Sequence, residues 1–178
     1  MSTKQKLLEE FRKMESEREA MMSELSNYSE ETLTKKPDSD SWSVAEVVMH
    51  MVIAESGALA YMQKKLEFGG HTRSTLGAAF KQKLLNFAVS LPIKFKAPKV
   101  ANIKEGENVS FAEASQKWKS IRQDLLMEYQ SMDDELVSHE LFKHPAAGKM
   151  NVLQSVEFMR KHMNRHIKQM KSTVKVVS

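Results

Sequence analysis

The chain contains no cysteine. That absence excludes disulfides, thiolate metal ligands and cysteine nucleophiles together. Any metal site must therefore use histidine, carboxylate, backbone carbonyl or water. No apolar run approaches the ~20 residues needed to span a bilayer. The N-terminal stretch MSTKQKLLEEFRKMESE is heavily charged and lacks the apolar centre of a signal peptide. These two absences make the cytoplasm the expected compartment and give no reason to expect a membrane partner. Neither sign of charge dominates: the formal net charge is +4, with Lys and Arg mixed among Asp and Glu. A basic isoelectric point without an aromatic-basic recognition motif does not amount to a nucleic-acid footprint.

What is present is an ordinary globular composition, 41% hydrophobic and 28% charged over 178 residues. That length suits one domain, 1–178, with a core of its own. Four stretches carry helical periodicity. The first, about Thr3 to Leu25, places Leu7, Leu8, Phe11, Met14, Met21, Met22 and Leu25 on one stripe. Residues 27–40, with Pro37 and several Ser, Thr and Asp, read as a connector.

The second helix has the clearest start. Ser43 is an N-cap and Glu46 completes a capping box, with Trp42 before the cap as part of a hydrophobic staple. Its pattern runs to about Phe68, where Gly69 and Gly70 stop it. Residues 71–109 read as an insertion: a shorter helix over Leu76 to Phe87, then a covering loop. Pro92 and Pro98 argue against a central strand in LPIKFKAPKV.

The third long helix starts near Ser110, with Phe111, Ala114, Trp118, Ile121, Leu125, Tyr129 and Met132 as its stripe. A loop containing HPAAGK follows, and the fourth helix covers about Asn151 to Lys171. Four amphipathic helices without a convincing strand predict an all-α four-helix bundle. Most of the thirteen methionines fall on the stripes, as core filling requires.

Chemistry concentrates in FMRKHMNRHIKQ, Phe158 to Gln169. His162 and His166 are four residues apart and project from one helix face, among Ser155, Phe158, Met159 and Met170. Taken alone, such a pair is more often packing than ligation. Met163 stands where a zinc-protease helix would carry glutamate, which sets that motif aside.

The second helix supplies a third imidazole, His50, on a face that includes Val47, Ala54, Gly57 and Tyr61. The small residues beyond it leave room, which a pocket needs and a packed core does not. Glu46, one turn earlier, could orient His50, although capping already accounts for it. Three inward histidines on two helices would make a three-His metal site with positions left for water or substrate. Zinc, nickel and iron all accept imidazole. His71, beside two glycines, and His139, in DDELVSHEL, read as solvated surface residues, and His144 as a structural loop residue. The sequence holds no nucleophile elbow, P-loop or dinucleotide fingerprint.

The order W-S-x-x-E-x-x-x-H (Trp42 to His50, continuing to Glu55), FKAPK, FKHPAAGKM and H-x-x-x-H resembles the DinB-like family of four-helix-bundle proteins. The resemblance covers most of the chain and is weakest over the insertion. It implies that His50, His162 and His166 bind a divalent metal, and it implies a homodimer, since dimers are common in the family. It also implies a metal-dependent hydrolase or a transferase using low-molecular-weight thiols, the metal activating water or the thiol. The small-molecule substrate is not implied by any residue here. The alternative is a non-enzymatic helical binding module, with or without metal. Nucleic-acid binding rests only on the isoelectric point and an association carried by the family name.

Overall fold

A computed structural model of the chain describes residues 1–73, 109–144 and 148–178. The predicted short helix and covering loop of the insertion lie outside the described residues. Four long helices dominate: α1 (Thr3–Leu25), α3 (Val44–Phe68), α4 (Phe111–Ser131) and α6 (Val152–Val177). They pack as a ring, α1 against α4 and α6, and α3 against the same two. The predicted all-α class holds.

Each long helix begins at a residue that satisfies orphan backbone N–H groups. Ser2, Ser43, Ser110 and Asn151 accept from Gln5, Glu46, Glu113 and Gln154 N–H respectively. Ser2, Ser43 and Asn151 form reciprocal capping boxes. Glu46 Oε2 accepts from Ser43 N–H at 2.8 Å and Oε1 lies 2.8 Å from Lys36 Nζ, so its role is the cap rather than the orientation of His50.

Most of the core is one cluster, with Leu7, Met14, Met51, Trp118, Leu125, Tyr129 and Met163 among its most deeply buried side chains, and Met150 with Phe158 forms a small second one. Nine methionines are buried, in keeping with the core-filling reading. By length and composition α3 could cross a membrane, but 56% of its apolar window is buried inside the molecule, as befits a core helix.

Four features depart from the sequence reading. The connector contains a short helix, α2 (Glu30–Thr34), capped by Ser29 and anchored by buried Leu33. Another single-turn helix, α5 (Asp134–Val137), is capped by Asp133. The expected loop around HPAAGK is an antiparallel hairpin, β1 (Phe142–His144) with β2 (Gly148–Met150), pairing Phe142 with Met150 and His144 with Gly148. Gly148 takes a positive φ of 78°, open to glycine at no steric cost. Finally, α6 continues two turns past Lys171 because Thr173, Val174 and Val177 remain buried.

Candidate metal centre

The capping box at Ser43 fixes the start of α3 and so the rotation at which His50 leaves it, two turns on. Asn151 does the same for α6, which carries His162 and His166. The hairpin ahead of Asn151 turns the chain into α6 and places His144 beside it: the His144 ring lies 4.7 Å from that of Phe158. Trp42, just before the α3 cap, lies 5.0 Å from the His50 ring. Trp42 thus walls the site as well as packing against the core.

His50, His162 and His166 meet. His166 Nε2 is 3.0 Å from His162 Nε2, and His50 Nε2 is 3.4 Å from the same atom. One ligand atom from each lies within 4.8 Å of the others, a group that could hold a metal ion. Ligands about 2.0–2.1 Å from a tetrahedral ion sit about 3.3 Å apart, so two of the three separations are already near that spacing. His50 and His166 are buried and His162 is half-buried.

Proton accounting favours the same reading. Gln169 Oε1 lies 2.9 Å from His166 Nδ1 and can only accept, so Nδ1 carries the proton and Nε2 offers its lone pair inward. His162 Nε2 has at most one proton for two neighbouring imidazole nitrogens. A cation at the centre would engage all three lone pairs, with Gln169 holding His166 in the tautomer that ligation needs. Charge on the two α6 rings is disfavoured. Burial foremost, then the neighbouring His50 and Arg165, push His166 down to about 4. Burial, followed by His166, His50, His144 and Arg165, puts His162 well below the ordinary imidazole value. Neutral imidazole is the metal-binding form.

The face of α3 around His50 differs in one respect from the sequence reading. Val47 is buried, but Ala54 and Tyr61 are half-buried and Gly57 is exposed. The room beside Gly57, where a Cβ would meet nothing within 4 Å, therefore opens toward solvent rather than into the core. A small, mainly apolar cavity between α3, α4, the hairpin and α6 touches Met62, Tyr129, Phe142, Ser155 and Met159 but none of the three histidines. His71 and His139 are half-buried and not simply solvated. Their Nδ1 atoms lie 2.8 Å apart, joining the end of α3 to the segment after α5.

Sequence reasoning missed the ionic centre beneath the site. Glu55 and Arg122 are 1% and 2% exposed. Arg122 donates to both Glu55 oxygens at 2.5 and 2.8 Å, and Trp118 Nε1 donates to Glu55 at 2.9 Å. Arg122 also reaches Met163 Sδ, next to His162, at 3.4 Å. The only sequence signal was the carboxylate of Glu55 inside an otherwise apolar helix.

Residues 13–170 match the DinB superfamily. The chain belongs to that superfamily. A Bacillus subtilis (strain 168) relative, described only as uncharacterized protein YuaE, is 25% identical over 149 residues, covering 83% of this chain and 86% of that protein. No solved structure matches. In this DinB superfamily member the family segments quoted from the sequence supply the cap, the hairpin and all three histidines of the group.

Proposed function

We propose that the protein is a metal-dependent enzyme of the hydrolase or low-molecular-weight-thiol S-transferase kind, with His50, His162 and His166 as ligands of one divalent ion: zinc, nickel or iron. The observation that carries this reading is the meeting of three imidazole Nε2 atoms from two helices, 3.0 and 3.4 Å apart along the cluster. Bound there, such an ion supplies a water or thiol acidified enough to act as a nucleophile near neutral pH.

The chain's residues set the conditions. Three protein ligands leave a position for an outside molecule, as reactive sites do and closed structural sites do not. Gln169 fixes the His166 tautomer. Trp42 and Phe158 give the imidazoles apolar neighbours, which raises the weight of every charge interaction at the centre.

The test is metal content in protein purified without a histidine tag, before and after zinc or nickel is offered. One equivalent is expected, with His50→Ala, His162→Ala and His166→Ala each binding far more weakly. Retention below about a tenth of an equivalent, or three alanine variants with unchanged affinity, would sink the reading. Tight binding with no turnover across esters, amides and thiol acceptors would assign the centre to a binding module instead.

A further inference from the structure

The two helices that carry the histidines pack less on each other than on their neighbours. Helix α3 lies chiefly against α4, and α6 chiefly against α1. The distance of His50 from His162 and His166 is therefore set largely through the other two helices. That distance is exacting, because metal–ligand bonds tolerate only about 0.2 Å of error.

One side chain reaches all four helices. Arg122, on α4, extends to α6 at the opposite corner of the ring, where its guanidinium lies 3.4 Å from Met163 Sδ. It donates to both oxygens of Glu55 on α3, and its remaining nitrogen is 3.5 Å from Glu15 of α1. Glu55 stands five residues, about 7.5 Å of helix, beyond His50. Met163 directly follows His162. The grip is rigid, since two N–H bonds to one carboxylate fix the plane of the guanidinium. Trp118 Nε1 holds Glu55 at 2.9 Å, and the Trp118 and Phe11 rings lie 5.3 and 6.0 Å from the guanidinium carbon.

Stability alone does not account for such a pair. Taking two charges out of water offsets most of what their attraction returns, and apolar residues of similar volume often serve as well. What a buried and fully bonded pair adds is register between the elements it joins. Here those elements include both helices of the metal centre.

We propose that Arg122 is a positioning residue of the metal centre: by holding Glu55 of α3 and Met163 of α6 at once, it sets the separation at which His50 meets His162 and His166. This rests on the three-His metal reading and adds to it the device that aligns the ligands.

The experiment uses the full chain without a tag. Co(II) binding is followed by visible absorption in competition with a chelator, and circular dichroism identifies the variants that are folded. Arg122→Lys keeps the charge and loses the fork. Met163→Leu keeps the volume and cuts only the link to α6. Arg122→Lys should weaken Co(II) binding about tenfold and Met163→Leu about threefold. Both effects should vanish in a His50→Ala background, where the ion is held by α6 alone and its distance from α3 no longer matters. Unchanged affinity in either folded variant, or an equal loss with and without His50, would overturn the inference. If Arg122→Lys does not fold, Met163→Leu decides alone by the same criteria. A native chain that takes up no Co(II) sinks the metal reading and this one together, whereas uptake with unchanged affinity in the variants removes this one alone.

Discussion

His166 has its two ring nitrogens committed in opposite directions, and its neighbour Gln169 decides which one carries the proton. Gln169→Leu removes the acceptor at Nδ1 and frees the wrong tautomer, so metal affinity should fall about 10- to 100-fold. Chelator competition at fixed pH measures it, and an unchanged constant would mean that Gln169 is only packing. The same residues set a pH dependence. His166 titrates near 4 in the folded chain and His162 is also strongly lowered, whereas unfolded imidazole titrates near 6.5. Below about 6.5 the unfolded chain therefore takes up protons that the native one refuses, so metal-free protein should lose stability as pH falls toward 4. Each such histidine costs about 1.4 kcal/mol per pH unit across that window. Urea midpoints at pH 7, 6 and 5 would show it, and His166→Gln should flatten the slope. The three histidines were readable because helical spacing puts two on one face and a cap fixes the third. Arg122 was not, since an arginine bordering an apolar stripe reads as solvent-facing, and its partner Glu55 lies 67 residues away on another helix.

At the level of elements, the long helices were legible wherever a capping residue met an apolar stripe. Ser43 and Glu46 announce α3, and Ser43→Ala should cost about 1 kcal/mol in urea unfolding, measured against an exposed Ser→Ala control. Elements of one turn were not legible. The five residues of α2 and the three-residue strands of the hairpin are shorter than the period that would reveal them. They form because tertiary contacts hold them: Leu33 under α2, and Met150 against Phe158 beneath the hairpin. The Glu55–Arg122 pair joins α3 to α4 in the same manner. Removing one partner strands a buried charge, so Glu55→Leu or Arg122→Met alone should cost about 3–5 kcal/mol. The double variant should be less damaging than the two single effects added, because neither charge is then left alone. Strict additivity in that cycle would show that the pair is not coupled.

For the whole molecule, the centre is a tie between distant parts of the chain. His50 and His162 are 112 residues apart, and their nitrogens are separated by 3.4 Å. His50 also lies against His166, with ring centroids 4.8 Å apart, so among the described residues α3 and α6 meet through a group able to share a cation. An ion that binds the native arrangement and not the unfolded chain stabilises it by mass action, about 2.7 kcal/mol at a free concentration 100 times its dissociation constant. Zinc or nickel should therefore raise the urea midpoint, and the size of the rise distinguishes two modes of binding. A pair four residues apart on α6 can hold an ion whenever that helix exists, including in partly unfolded chains, and such binding contributes little to joining α3 and α6. Engagement of His50 requires both helices docked. His50→Ala should then abolish most of the metal-induced rise while metal still binds weakly to His162 and His166. If the rise survives in His50→Ala at matched saturation, the ion is held by α6 alone, and three-ligand binding is wrong even though metal content looks normal.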